Sequence, residues 1–252
     1  MWPYPKIVAH RGAGILAPEN TLAAMRVGLE HGFHAVEFDV MLSKDEIPVL
    51  MHDHQFGRTV SGVGMVSECD ARQLSAMDAG SWFSDAYSGE PVPLFTQVID
   101  FCQQNGIWMN VEIKPAPGFE ELTGRIVGRL VRQRFGADFE AGAQARTALP
   151  LLSSFSEVAL QAARTAAPDI PRALLVDVIP PDWQARLTAL AAVALNTNHR
   201  TLTPQLARAV KQAGFGLFCY TVNDPARAHE ILGWGVDGFC TDRIDVIAAD
   251  FA

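Results

Sequence analysis

Short apolar segments alternate with helical patterns along the chain, and this alternation restricts the possible fold more than any other feature. Eight predicted strands cover residues 6–9, 35–40, 108–114, 149–155, 172–177, 192–198, 216–222 and 238–241. Predicted helices begin near Asn20 and cover residues 94–105, 119–135, 156–167, 181–190, 203–213 and 224–232, with a short final helix after the last strand. Eight such units favour a parallel sheet closed into a (β/α)8 TIM-type barrel. A doubly wound sheet is the alternative, but the first strand is not followed by a G-x-G-x-x-G turn.

One long connection interrupts this alternation. Residues 47–51 form an additional apolar run after the second strand, and residues 54–93 are rich in turn-forming glycines. A connection of that length without structure of its own is uncommon in a compact domain. We therefore predict an inserted subdomain at 54–93 within a single barrel domain of residues 1–252. The adjacent residues Trp82 and Phe83 either line a pocket or pack the insertion against the barrel rim.

The composition limits the partners and the location of the protein. The 252-residue chain is 49% hydrophobic and 19% charged, which is typical of a folded globular protein. Its net charge of −8 provides no basic surface for nucleic acid or an anionic membrane, so we expect a small-molecule substrate. The N-terminus does not resemble a signal peptide and no apolar stretch reaches ~20 residues, which predicts a cytoplasmic protein. The sequence leaves a homodimer open. Cys219 and Cys240 lie in apolar strands and are expected to be buried thiols.

The second predicted strand carries two carboxylates on one face. Successive side chains of a strand point to opposite sides, so Glu37 and Asp39 project together. They repel each other unless a cation lies between them, and a divalent ion is the usual solution. A solvated polar face on an edge strand would give the same pattern. The strand at 108–114 favours the metal site, because Glu112 and Lys114 share a polar face there as well.

Further polar residues lie at strand ends, where barrels of this type carry their functional groups. His10 and Arg11 follow the first strand, and His52 follows the additional run. Carboxylates without thiolates suit Mg²⁺ or Ca²⁺, and Arg11 and Lys114 suit phosphate oxygens. Two histidines can serve as base and acid in one cycle, so the set predicts phosphoryl transfer with acid–base assistance. Singly, a histidine at a strand end is more often structural, and Lys114 would also serve to neutralise Glu112.

Several short motifs, taken together, are typical of one enzyme family. They are His10-Arg11-Gly12, Pro18-Glu19-Asn20-Thr21, Glu37-x-Asp39, Pro48-Val49 before His52-Asp53, Val111-Glu112-Ile113-Lys114 and Tyr220-Thr221-Val222-Asn223. In this combination the chain resembles the glycerophosphodiester phosphodiesterases, from the first strand to Thr241-Asp242. Residues 2–5 and 78–83 resemble the bacterial cytoplasmic member associated with glycerol-3-phosphate uptake.

The resemblance implies an enzyme that hydrolyses glycerophosphodiesters, such as glycerophosphocholine or glycerophosphoethanolamine, to glycerol 3-phosphate and an alcohol. It implies one divalent cation, Mg²⁺ or Ca²⁺. By motif position, it assigns this cation to Glu37, Asp39 and Glu112, the phosphate to Arg11 and Lys114, and acid–base catalysis to His10 and His52.

The mechanism implied by the resemblance proceeds through a cyclic phosphate, formed by the substrate's own 2-hydroxyl and then opened by water. His10 would be the first base and His52 the acid, before the two exchange roles. The sequence leaves that assignment open because both histidines face the same pocket. Phe155 and Tyr220 are expected to line the apolar side of the pocket, although Phe155 suits the core equally well.

The chain departs from the family pattern at three positions. Glu46 replaces the usual glycine of a turn, His54 stands where an acidic residue is common, and Tyr220 replaces the usual tryptophan. None is an expected metal ligand, so we expect effects on loops or on the alcohol pocket. Two alternative functions are a phosphodiester lyase that stops at the cyclic phosphate and a catalytically silent barrel that binds a phosphodiester.

Overall fold

The computed structural model describes residues 2–140 and 149–251, and a closed barrel of parallel strands forms its centre. The strands are β1 (Ile7–Ala9), β2 (Ala35–Leu42), β3 (Pro48–Leu50), β4 (Trp108–Ile113), β5 (Leu151–Ser154), β6 (Arg172–Val176), β7 (Ala194–Asn198), β8 (Gly216–Tyr220) and β9 (Gly238–Thr241). All except β3 belong to the barrel, which closes because β1 pairs with both β2 and β9. The predicted (β/α)8 TIM-type barrel is confirmed.

Helices surround the barrel and return the chain to the start of the next strand. They are α1 (Leu22–Glu30), α3 (Phe95–Gln104), α4 (Glu120–Glu140), α5 (Glu157–Ala166), α6 (Trp183–Leu190), α7 (Pro204–Gln212) and α8 (Pro225–Gly233), whereas the short α2 (Ala71–Leu74) lies in the long connection after β3. The side chain of Thr21 accepts a hydrogen bond from the backbone N–H of Ala24, so Thr21 is the N-cap of α1. Within the described residues, no helix combines the length and the hydrophobicity needed to cross a membrane.

The predicted short final helix is wrong. From the end of β9 to Phe251 the chain forms turns, in which the carbonyl of Arg243 accepts bonds from the N–H groups of Val246 and Ile247. A single turn of this kind does not extend into a helix, because nucleation fixes several residues for one hydrogen bond. The ring of Phe251 instead packs edge-on against Phe239, so apolar packing holds this end of the chain.

The additional strand β3 leads into the inserted segment. It runs antiparallel to β2, with Met41 opposite Val49. Residues 54–93 contain α2 and two short 3₁₀ helices, Val66–Glu68 and Asp85–Tyr87. The apolar side chains that join this segment to β2 and β3 form one cluster: Met41, Val49, Met51, Val60, Val66, Leu74, Ala79 and Val92. The division into one barrel domain with an inserted subdomain stays a prediction.

Apolar side chains fill the interior of the barrel at the end where the strands begin. They are Tyr4, Val8, Ala35, Trp108, Leu151, Ala173, Ala194, Phe218 and Cys240. Tyr4 stacks on Trp108 with ring centroids 4.8 Å apart, so residues before β1 help to fill this end. Cys219 and Cys240 are buried free thiols, as predicted. The polar residues of the interior therefore lie above this packed layer, towards the C-terminal ends of the strands.

Candidate active site

Three buried carboxylates of β2 and β4 meet inside the barrel. Glu37 and Asp39 share the inward face of β2, and Glu112 of β4 lies opposite Asp39 in the parallel register. Oxygen atoms of the three side chains all lie within 4.8 Å of one another. The strand periodicity predicted the first pair, and the register between the strands brings in the third.

The charges in this cluster are only partly balanced by the protein. Burial raises the pKa of Glu37 and of Glu112, and the charge of Asp39 raises both further. Burial also opposes ionisation of Asp39, but the charges of Lys114 and Arg11 hold the pKa of Asp39 below its usual range. Buried oxygen ligands that repel one another fit a hard divalent cation, so these three residues could hold Mg²⁺ or Ca²⁺.

Two cationic side chains flank the acidic cluster. Arg11 Nη1 donates to Glu19 at 2.7 Å, and its Nε lies 3.5 Å from Asp39 Oδ2. Lys114 Nζ lies 3.2 Å from Asp39 and 3.3 Å from Glu112, so it does partly neutralise Glu112. The backbone of Arg11 has a φ of 52°, in the left-handed region that is costly for residues other than glycine. The loop after β1 therefore holds this side chain at the cluster in a strained conformation.

His10, which follows β1, contacts the loop after β9 on one side and β2 on the other. Its Nδ1 lies 2.5 Å from Asp242 Oδ1, and its Nε2 lies 3.7 Å from Glu37. The other oxygen of Asp242 accepts a bond from Asn223 at 2.9 Å. Burial lowers the pKa of His10, but the hydrogen bond to Asp242 and the charge of Glu37 raise it above its usual value. A β-carbon on Gly14 would lie 2.1 Å from the carbonyl oxygen of Asp242, so only glycine lets these loops meet.

His52 has a second aspartate partner. Its Nδ1 lies 2.6 Å from Asp53, and Arg58 of the inserted segment donates to the other oxygen of Asp53 at 2.6 Å. The two remaining amino groups of Arg58 each donate to Glu19 at 2.7 Å. Glu19 in turn accepts from Arg11, so one chain of ion pairs joins both histidine loops. Burial lowers the pKa of His52.

A cavity of about 200 Å³ lies between these residues. The predicted site residues in its lining are His10, Arg11, Glu37, His52, Glu112, Lys114, Phe155 and Tyr220. Phe155, which is 49% exposed, meets Tyr220 edge-on with ring centroids 5.8 Å apart. The hydroxyl of Tyr220 donates to the carbonyl of Val176 at 2.9 Å. Trp82 and Phe83 contact each other within the insertion and lie outside this lining.

Several side chains that hold the site together were not among the predicted site residues. The carboxamide of Asn20 bonds both the carboxylate and the backbone N–H of Asp39, at 2.9 and 3.1 Å. Asp242 follows the last strand, which must neighbour the first strand in a closed barrel, and this placement was a usable signal. Arg58 gave no comparable signal, because no pattern in the sequence fixed the path of the insertion.

Comparisons with known proteins agree with this arrangement. The model of the glycerophosphoryl diester phosphodiesterase family matches residues 10–246. A glycerophosphodiester phosphodiesterase of Caldanaerobacter subterraneus subsp. tengcongensis is 30% identical over 242 residues, 94% of this chain and 93% of that protein. Among solved structures, an Oleispira antarctica phosphodiesterase in complex with the product sn-glycerol-3-phosphate has a TM-score of 0.88 and 34% identity, covering 96% and 95% of the two chains. A glycerophosphodiester phosphodiesterase from Agrobacterium tumefaciens has a TM-score of 0.77 and 26% identity, covering 97% and 99%.

The barrel and its carboxylate, histidine and cation cluster are those of a phosphodiesterase, a hydrolase of phosphoric diesters. The family match spans nearly the whole chain, and the chain belongs to the glycerophosphoryl diester phosphodiesterase family. The family resemblance of the sequence motifs is thereby confirmed, and the substrate class is the glycerophosphodiesters.

Proposed function

We propose that this enzyme hydrolyses glycerophosphodiesters such as glycerophosphocholine and glycerophosphoethanolamine to glycerol 3-phosphate and an alcohol, through a cyclic phosphate. The observation that most supports this is the convergence of an acidic cluster, two cationic side chains and two histidines on one cavity. The similar Oleispira antarctica phosphodiesterase was solved with the product sn-glycerol-3-phosphate, and we propose the same product here.

In this proposal Glu37, Asp39 and Glu112 hold one divalent cation, Mg²⁺ or Ca²⁺. When bound, such an ion acts as a Lewis acid that stabilises negative charge on phosphoryl oxygens. Arg11 and Lys114 flank the same cluster and bind the phosphate, the first through a planar fork and the second as a point charge.

His10 and His52 move the protons. The Nδ1–H of each histidine donates to its own aspartate, which leaves Nε2 as the nitrogen available to the substrate. In the first step the 2-hydroxyl gives its proton to His10 and attacks phosphorus, while His52 protonates the departing alcohol. In the second step water gives its proton to His52 and opens the cyclic phosphate, while His10 returns its proton to the 2-oxygen. Both histidines are then restored, and no serine or cysteine nucleophile is required.

The departing alcohol is accommodated by Phe155 and Tyr220. The half-exposed ring of Phe155 lies at the mouth of the cavity, where alcohols of different size can extend into solvent. The hydroxyl of Tyr220 is bonded to a backbone carbonyl and burial raises its pKa, so Tyr220 acts through its ring.

The test is release of glycerol 3-phosphate from glycerophosphocholine by chelator-treated protein, with Mg²⁺ or Ca²⁺ added back. We expect release only with the metal, and none from Glu112→Gln, which should remain folded. Glu121→Gln, an exposed carboxylate of α4, is the matched control and should remain active. A cyclic phosphate that persists in the phosphorus NMR spectrum would favour the lyase, and no turnover in folded protein would favour the silent barrel.

The cytoplasmic location, a homodimer and a link to glycerol-3-phosphate uptake stay predictions. The location of a tagged protein in its own host tests the first prediction, and gel filtration tests the second.

A further inference from the structure

One buried carboxamide in the cavity is not explained by the proposed catalytic groups. Asn196 of β7 is fully buried, and neither its Nδ2 nor its Oδ1 has a hydrogen-bond partner among the described residues. Asn196 is also part of the lining of the 200 Å³ cavity. The neighbouring buried carboxamide of the lining, Asn110, differs because its Oδ1 accepts a bond from Ser153 at 2.9 Å.

An amide without partners in a protein interior is unfavourable, so a position of this kind indicates a group that arrives with a ligand. Asn196 lies beside Leu175 of β6 and Phe218 of β8, which also line the cavity and offer no side-chain hydrogen bonds. A ligand atom is therefore the partner that this wall of the cavity lacks.

The chemistry of the amide restricts that partner. A carboxamide offers both a donor and an acceptor, and a hydroxyl group can satisfy both. Phosphate oxygens only accept and are better matched by Arg11 and Lys114 on the opposite wall. The quaternary ammonium of choline has no N–H to donate. The glycerol part of the substrate is a neutral carbon chain with hydroxyl groups, and it offers both the donor and the acceptor that the amide of Asn196 requires.

The depth of Asn196 agrees with this assignment. The glycerol moiety is common to all glycerophosphodiesters, whereas the departing alcohol varies, so the closed end of the cavity suits glycerol and the open mouth suits the alcohol. Asn196 is fully buried, and Phe155 at the mouth is 49% exposed. We propose that Asn196 determines specificity by hydrogen-bonding the terminal hydroxyl of the glycerol moiety, an inference that rests on the proposed function.

The test compares glycerophosphocholine with the analogue in which hydrogen replaces the terminal hydroxyl of the glycerol. That analogue retains the 2-hydroxyl required for attack on phosphorus. We expect the wild type to prefer glycerophosphocholine in kcat/KM by about ten- to a hundredfold, because the analogue leaves the buried amide of Asn196 without a partner. Asn196→Leu, similar in size and apolar, should lose that factor on glycerophosphocholine and change little on the analogue. Asn198→Leu is the matched control on the same strand, since Asn198 bonds Asp177 and lies outside the lining.

The outcomes separate this inference from the proposed function. If the wild type hydrolyses neither diester, the proposed function fails and the inference fails with it. If the wild type is active but Asn196→Leu keeps the preference, or loses the same factor on both substrates, only the inference is wrong. Asn196→Ala, measured in the same way, decides the question should the leucine variant not fold, and circular dichroism establishes the fold of each variant.

Discussion

Replacement of Asp242 by asparagine tests how the site controls His10. Asn223 donates to one oxygen of Asp242 at 2.9 Å, and His10 Nδ1 faces the other oxygen at 2.5 Å. In Asp242→Asn, the new carbonyl should keep the bond from Asn223, so the new NH₂ group faces His10. That group donates, which forces His10 Nδ1 to accept and places the proton on Nε2. His10 is then in the wrong tautomer to act as a base, and it also loses the charge that stabilises its protonated form.

The size of the effect follows from these two changes. A hydrogen bond between ionised groups contributes about 1.5–3 kcal/mol, which corresponds to about 10- to 150-fold in rate. The same substitution in the catalytic triad of serine proteases, where it enforces the wrong tautomer, lowers kcat by about 10⁴. We therefore expect kcat for glycerophosphocholine to fall by about 10²–10⁴ with little change in the melting temperature. Since the Asp242 carboxylate raises the pKa of His10, the limb of the pH–rate profile that reports His10 should move to lower pH.

The assay is steady-state hydrolysis across a pH series, with unfolding followed by circular dichroism. Asp237→Asn is the matched control, because Asp237 is a partly buried aspartate that pairs with Lys211 ahead of β9, away from His10. It should retain the wild-type pH profile. A kcat for Asp242→Asn within about threefold of wild type at every pH would refute the role assigned to this hydrogen bond.

Three further predictions concern the acidic cluster, a strained turn and the insertion. Burial raises the pKa of Glu37 to about 7 and of Glu112 to about 8, so metal-free native protein binds more protons than the unfolded chain. Its melting temperature should fall as pH rises from about 5 to 8, and Glu112→Gln should flatten that slope in calorimetry; a slope of the opposite sign would contradict the electrostatics. Glu46 has a φ of 63°, and Glu46→Gly should raise the free energy of unfolding in urea by about 0.5–1 kcal/mol; no gain would mean that the turn is unstrained. Arg58→Ala should lower kcat about three- to tenfold and leave the melting temperature unchanged. Arg72→Ala on α2 should change neither kcat nor the melting temperature, and equal effects of the two variants would exclude a specific role for Arg58.

The sequence predicted the barrel because its signal is repeated in every unit. Each apolar strand followed by an amphipathic helix gives the same indication, so errors in single boundaries do not change the fold. The missing final helix shows the limit of this signal, since a short segment after β9 forms a turn on the carbonyl of Arg243 and packs through the ring of Phe251 instead. The start of the first helix was easier to predict, because the helix was expected near Asn20 and its N-cap is Thr21.

The site was predictable where it depends on strand periodicity. Glu37 and Asp39 had to share a face, and Glu112 could be placed on a neighbouring strand, although only the register shows that it lies opposite Asp39. Contacts that depend on loop paths were beyond the sequence. Arg58 bonds Glu19 and Asp53, yet its position in a glycine-rich insertion indicated neither partner.

Closure of the barrel explains why the site divides into two parts. β9, β1, β2 and β4 are consecutive neighbours in the sheet, and they or the loops that follow them carry His10, Asp242 and the three carboxylates. The contact between His10 and Asp242 therefore depends on the closure between the first and last strands, which joins residues 232 positions apart in the chain. The remaining strands, β5 to β8, contribute neutral side chains to the cavity, among them Phe155, Asn196 and Tyr220. In the proposed reaction the first group of strands handles the phosphate and its protons, and the second recognises the two alcohol parts of the substrate. Changes of substrate preference can thus arise on β5 to β8 without disturbing the acidic cluster.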